Sequence, residues 1–235
     1  MVGSADGIGR KAAATEPRPP VSCGTVHETP YEREPGYALR YRDRRFTVGT
    51  GSRTDRRERA ALRALLAHAV WSNGPWLDAP SGAGRMSDEL PGPVVQADRD
   101  PAMVGACPPT RPRVCASVHA LPFADGSFAG ALCHRLLQHI PTPVERITIL
   151  TELRRVTRGP IVVSFFDACS VQHLRRTLRR WFGKKRSGRC AVGWRGFRRE
   201  LQAAGLRPVA TRSLWPLLGE QTLVLCEPVD APGAR

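Results

Sequence analysis

The sequence predicts an α/β fold: an open, mostly parallel sheet with helices on both faces. Three observations point to it. Short apolar runs of strand length recur along the chain, and the run 161–166 is apolar but for Ser164, as suits a parallel strand covered on both sides. Amphipathic segments of helical period alternate with those runs. A short buried strand, Trp76-Leu77-Asp78, ends on an acid and opens into the glycine turn Ala79-Pro80-Ser81-Gly82-Ala83-Gly84-Arg85. In open α/β sheets ligands sit at the carboxyl ends of such strands. Gly82 and Gly84 let the backbone approach a nucleotide-like ligand closely. A second acid, Asp98, ends the next apolar run, where a carboxylate can hold ribose hydroxyls.

The elements follow in chain order. The first thirty residues are rich in Pro, Gly, Ala and Thr, and are expected to be a disordered tail, because they cannot bury enough apolar surface to offset ordering entropy. Residues 31–70 read as an N-terminal helical cap. There Tyr31, Tyr37, Tyr41 and Phe46 alternate with Arg40, Arg42, Arg44 and Arg45, and a solvated arm is the alternative. Thr54 or Asp55 can cap a helix running to about Val70, with Leu62, Leu65, Leu66 and Ala69 as its apolar stripe. Ser72-Asn73-Gly74-Pro75 breaks it before the main domain, 71–230. A short helix is expected over 86–90, and Asp100 caps another over 101–107 with proline at its first position. Residues 113–118 and 128–134 read as the third and fourth strands. Residues 143–156 form a helix with Val144, Ile147, Leu150 and Leu153 on one face. A basic helical insertion spans about 171–193, a further helix runs over 194–204 to Gly205, and 206–212 with 220–227 read as a closing strand pair.

Composition bounds the function. The chain has 235 residues, enough for one such domain, and no apolar stretch long enough to span a bilayer. The N-terminus has no signal-peptide core, and the seven cysteines are scattered without a Cys-x-x-Cys pair. Both features suit a protein of the reducing cytoplasm with free thiols. The formal charge is +15. Between Val171 and Arg199 lie Arg175, Arg176, Arg179, Arg180, Lys184, Lys185, Arg186, Arg189, Arg195, Arg198 and Arg199, with no acid among them. Such a patch attracts phosphates, anionic headgroups or acidic sugars. The helix at its start carries Val171, Leu174, Leu178 and Trp181 on one side and arginines on the other. It can lie on an anionic membrane surface, peripheral at the inner leaflet, or pack on the domain with a solvated basic face.

The glycine turn narrows the ligand. The dinucleotide fingerprint G-x-G-x-x-G is incomplete, with Ser87 at the third position, and no Gly-Lys-Ser/Thr follows to make a phosphate loop. What remains, D-x-x-x-G-x-G followed by Asp98, resembles the first two motifs of class I S-adenosylmethionine-dependent methyltransferases. Ala120-Leu121-Pro122-Phe123-Ala124-Asp125-Gly126-Ser127-Phe128 resembles the LPF-x-DxSFD signature of the small-molecule branch that includes the ubiquinone and menaquinone enzymes. His134-Arg135-Leu136-Leu137-Gln138-His139-Ile140-Pro141 is similar to that branch's loop after the fourth strand, and Glu152-Leu153-Arg154-Arg155-Val156-Thr157-Arg158-Gly159-Pro160 to its passage into the fifth. The resemblance runs from about Arg56 to Glu227. It implies a Rossmann-like, seven-stranded, mostly parallel sheet whose last strand is antiparallel.

The resemblance also implies S-adenosylmethionine as cofactor and assigns residues to it. Asp78 helps hold the methionine ammonium. Ala79, Pro80, Ser81, Gly82, Gly84 and Arg85 form the turn beside methionine and ribose. Asp98 accepts both ribose hydroxyls, Arg99 packs against adenine, and Ser117 and Val118 contact adenine. His134 and Arg135 line the methyl-transfer site. Two positions depart from the family: Ser117 stands where an aspartate is common, and Ala129 where an acid is usual. His134 or His139 can deprotonate a hydroxyl nucleophile. Otherwise His134 contacts cofactor only, and His139 packs within its turn. His119 reads as structural. No Asn-Pro-Pro-Tyr-like motif follows the fourth strand, which argues against amino-group methylation of nucleic-acid bases, and no metal-ligand cluster is apparent. The expected acceptor is a small molecule, or a lipid or glycolipid precursor, methylated on oxygen or carbon. The alternatives are RNA methylation, for which the charge speaks, and a degenerate cofactor-binding partner subunit without activity, for which Ser117 and Ala129 speak.

Overall fold

The computed structural model describes residues 36–44, 49–181, 189–216 and 218–229. The expected tail, and 182–188 of the basic stretch, lie outside the described residues. Two helices, α1 (Tyr37–Arg44) and α2 (Gly49–Leu66), precede the sheet. Its strands are β1 (Trp76–Asp78), β2 (Val94–Asp98), β3 (Arg113–Cys115), β4 (Gly130–Cys133), β5 (Ile161–Phe166), β6 (Leu206–Ser213) and β7 (Gln221–Pro228). Helices α3 (Pro101–Ala106), α4 (Pro143–Val156), α5 (Val171–Trp181) and α6 (Trp194–Ala203) connect them. The spatial order is β3-β2-β1-β4-β5-β7-β6. β1 to β5 run parallel, and β7 lies antiparallel between β5 and β6. This is the seven-stranded sheet that the resemblance implies. Strand order reverses at β1, and the carboxyl ends of β1 and β4 flank the switch point where open α/β sheets bind ligands.

The inner strands of the sheet are buried on both faces. Leu77, Ala131 and Val163 look toward α4 and α6, among Ile149, Leu150, Leu153, Phe197 and Leu201. Their neighbours Trp76, Leu132 and Val162 look the other way, onto Leu62, Leu65 and Leu66 of α2. Leu62 and Leu65 are wholly buried, and each such side chain contributes roughly 1.5–3 kcal/mol of hydrophobic stabilisation. Gly130 sits opposite Trp76, and a Cβ there would lie 2.5 Å from the indole ring. The glycine therefore makes room for the largest side chain of the core.

Several expectations shift for identifiable reasons. α2 begins at Gly49, so Thr54 and Asp55 are interior residues and not caps. Thr54 Oγ1 donates to the Thr50 carbonyl, and the Asp55 carboxylate pairs with Arg59 and Arg85. β3 stops at Cys115 because β2, its one neighbour in the sheet, ends opposite it at Asp98. In α4 Val144 is 75% exposed, while Arg146 turns inward. Arg146 forms a bidentate pair with Glu200 of α6 at 2.8 and 2.5 Å and donates to the Ile140 carbonyl at 2.7 Å. A buried guanidinium is tolerable only with that degree of pairing. Asp100 caps α3 by accepting from Ala102 N–H at 2.9 Å. The loop 121–126 is clasped by Arg155, which donates to the Leu121 and Phe123 carbonyls and to Asp125. Two separate sequence signatures are thus one physical clasp.

Candidate active site

Three strand ends build the site. β1 delivers Asp78, which is almost fully buried. Its Oδ2 accepts from Ser87 Oγ at 2.6 Å, and Ser87 Oγ accepts from Gln96 Nε2 of β2 at 2.7 Å. Burial pushes the Asp78 carboxyl up to about 7, against the Ser87 hydrogen bond. β2 delivers Asp98, whose two oxygens accept from Gly82 N–H at 2.8 Å and Asp100 N–H at 2.9 Å. Burial raises its pKa, and those two backbone donors oppose the rise. Asp98 thereby pins the glycine turn to the second strand.

The two glycines divide their work. Both have left-handed backbones, φ 55° at Gly82 and 77° at Gly84. A Cβ on Gly82 would meet nothing within 4 Å, so space lies open beside it. A Cβ on Gly84 would lie 2.4 Å from Gln96 Nε2, so Gly84 serves the internal relay to Asp78. Ala79 and Ser81 are buried, with Ala79 N–H on the Leu132 carbonyl and Ser81 N–H on the Ala97 carbonyl, both at 2.9 Å. Pro80 follows a cis peptide bond. Arg99 lies exposed after Asp98.

β4 delivers His134 and Arg135, and here the sequence reading missed a partner. Glu58 of α2 is wholly buried and takes Arg85 Nη2 at 2.5 Å, Arg135 Nη1 at 3.0 Å and His134 Nε2 at 3.3 Å. Arg85 also pairs with Asp55. Burial opposes ionisation of Glu58, but the contacts with His134, Arg85 and Arg135 outweigh it and hold the carboxyl below its ordinary range. Burial pushes His134 below its ordinary pKa, against the pull of Glu58. The imidazole is therefore neutral at neutral pH. Its Nδ1 is buried without a hydrogen-bond partner among the described residues. Gln221 Nε2 of β7 approaches Nε2 at 3.5 Å. Arg135 holds φ 60°, rare for a side-chain-bearing residue, and its N–H donates to Ser164 Oγ at 2.7 Å. Glu58 had a signal in the sequence: it stands four residues before Leu62, on the same apolar stripe.

Other expected site residues sit apart from this cluster. Val118 is buried, and Ser117 is partly buried with Oγ 3.2 Å from His119 Nδ1. His119 Nε2 lies 3.2 Å from Glu145 Oε1, which places His119 in a structural chain. His139 is exposed at the end of a short 3-10 turn. Ala129 is wholly buried, 3.3 Å from where a Gly74 Cβ would stand.

Comparison with known proteins agrees with this geometry. Residues 77–160 match the model of a methyltransferase domain. No curated protein matches the chain. Magnesium protoporphyrin IX methyltransferase from Synechocystis PCC 6803, solved with S-adenosylhomocysteine, superposes with a TM-score of 0.64 at 11% identity, covering 81% of this chain and 97% of that one. The PH0226 protein of Pyrococcus horikoshii OT3 gives 0.60 at 19% identity, covering 81% and 98%. An S-adenosylmethionine-dependent methyltransferase of Methanosarcina mazei gives 0.58 at 16%, covering 70% and 97%. At such identities the superpositions establish the fold. The matched domain spans the strand ends that carry Asp78, Asp98 and His134, and the open space at Gly82 with the two strand-end carboxylates suits an adenosyl cofactor. On fold, domain match and site together, residues 77–160 carry a methyltransferase domain, on the fold of S-adenosylmethionine-dependent methyltransferases.

Proposed function

We propose that this enzyme methylates an oxygen or acidic carbon of a small-molecule or lipid-type acceptor, with His134 as the proton acceptor. The supporting observation is the buried His134–Glu58 pair, in which Nε2 faces a carboxylate and Nδ1 has no partner. The cofactor supplies a methyl group made electrophilic by its sulfonium. In this reading Asp98 takes the ribose hydroxyls on lone pairs left beside its backbone donors, and Asp78 faces the methionine ammonium. The Gly82 backbone lines the ribose, while Ser117 and Val118 border adenine. Nε2–H donates to Glu58, which fixes the ring and the tautomer and leaves the Nδ1 lone pair to take a proton. Arg85 and Arg135 balance the Glu58 charge, so the carboxylate stays ionised without taking the proton itself. The scattered cysteines, without a Cys-x-x-Cys pair, support a cytoplasmic setting.

Calorimetric titration with S-adenosylmethionine and S-adenosylhomocysteine, with Gly82→Asp as the control, tests the pocket. Labelled methyl transfer into lipid, metabolite and RNA fractions then tests the acceptor. Label in lipids or metabolites, with His134→Ala lowering kcat by about 10²–10⁴-fold and leaving cofactor affinity within a few fold, supports the reading. Label in RNA transfers the assignment to a nucleic-acid acceptor. Undiminished turnover by His134→Ala removes the base.

A further inference from the structure

Helix α5 leaves its apolar side in solvent. Val171, Leu174 and Leu178, spaced to share one face, are 42%, 58% and 45% exposed. Of the two readings of this helix, packing of its leucines on the domain does not hold, and the apolar face extends beyond the helix. Gln172 N–H donates to the Leu218 carbonyl at 3.1 Å, which brings Leu218, 62% exposed, beside the start of α5. Trp215, in the same loop, is partly exposed, with the Arg57 guanidinium of α2 3.5 Å over its ring. Four exposed aliphatic side chains and an indole edge are unusual on one side of a soluble domain.

The exposed charge along α5 is basic, and Glu220, beside its first turn, is buried. No acid occurs between Val171 and Arg199, and Arg175 stands exposed on α5 itself. The patch also lies at the active edge of the sheet. α5 follows the carboxyl end of β5, and Glu220 N–H lies 3.4 Å from Gln172 Oε1. The next residue, Gln221, reaches His134.

We propose that α5, with Trp215 and Leu218, forms a docking surface for an anionic lipid bilayer, with Leu174, Leu178 and Leu218 inserted and Arg175 at the headgroups. The inference deepens the proposed function: it places a membrane-borne acceptor at the edge that holds His134. A bilayer is favoured over RNA because both need the cations, but only a bilayer gives solvent-facing Leu174, Leu178 and Leu218 an apolar medium. A second copy of this chain would set two acid-free basic helices against each other, which like-charge repulsion opposes.

Flotation of the full chain with vesicles tests this, using phosphatidylcholine alone and a 3:1 mixture with phosphatidylglycerol, at low and physiological salt. The wild type is expected on the mixed vesicles and not on phosphatidylcholine. Leu174→Asp/Leu178→Asp is expected to weaken that binding about tenfold or more, with unchanged S-adenosylhomocysteine affinity. Arg175→Glu weakens it most at low salt. Absence of wild-type binding to mixed vesicles overturns the proposal, as does full binding by the double variant. Tight, salt-steep binding to RNA without vesicle binding assigns the patch to nucleic acid instead. A stable dimer dissolved by the double variant, without vesicle binding, assigns it to self-association. Cofactor binding is read separately, so failure of the docking surface and failure of the methyltransferase pocket give different results.

Discussion

Asp78→Asn isolates the residue on which cofactor binding and stability pull in opposite directions. Burial raises the Asp78 carboxyl from 3.8 to about 7 in the free protein. A shift of about three pKa units corresponds to roughly 4 kcal/mol, at about 1.36 kcal/mol per unit. The sign follows from proton linkage. The folded form keeps its proton to higher pH than the unfolded chain, so ionisation removes stability as pH rises from about 4 to about 7, and the loss is complete above that. Asparagine cannot ionise and keeps the Ser87 hydroxyl as a partner. The free variant should therefore gain on the wild type as pH rises, by roughly 3 kcal/mol between about pH 5 and pH 8. Urea denaturation of both proteins across that range measures the gain. Cofactor affinity should move the other way. An ammonium beside Asp78 favours the charged carboxylate, so wild-type binding should tighten about tenfold from pH 6 to pH 8 in calorimetric titration. The variant should bind more weakly and without that pH dependence. A wild type whose stability does not fall relative to Asp78→Asn, or whose cofactor affinity is flat with pH, would refute the argument.

Glu58→Gln removes a carboxylate that favours protonated His134, so the His134 pKa falls further. The acid limb of the kcat profile should move to lower pH while kcat drops about tenfold or more; a purely structural Glu58 would leave the limb in place. Glu200→Ala strands the buried Arg146 guanidinium and should cost about 3–5 kcal/mol in thermal or chemical unfolding. Replacing the pair together, Arg146→Met with Glu200→Leu, should recover most of that loss. Gly84→Ala pushes a methyl into Gln96 at a left-handed φ and should destabilise the fold by about 1–3 kcal/mol, read by denaturation. Gly82→Ala meets open space, so beyond about 1 kcal/mol of left-handed strain its cost should appear in cofactor titration.

Local pattern carried much of the fold. Apolar run length and helical period placed 143–156 and 161–166 at the bounds the structure has, and set β1, β2 and β4 in order. The acids at strand ends, Asp78 and Asp98, were legible because a parallel strand puts its last residue at the ligand edge. The inward turn of Arg146 was not, because its partner Glu200 lies 54 residues away and only helix packing brings them together.

The sequence by itself determined the alternation of strands and helices, the glycine turn and the two strand-end carboxylates, because each depends on neighbours within a few residues. Tertiary structure alone decided that Glu58 meets Arg135, 77 positions on, and His134 beside it. It also decided that Gly84 guards Gln96 while Gly82 faces open space, and that the α5 leucines face solvent. Periodicity gives a helix an apolar face, but what covers that face depends on which surfaces the rest of the chain brings to it.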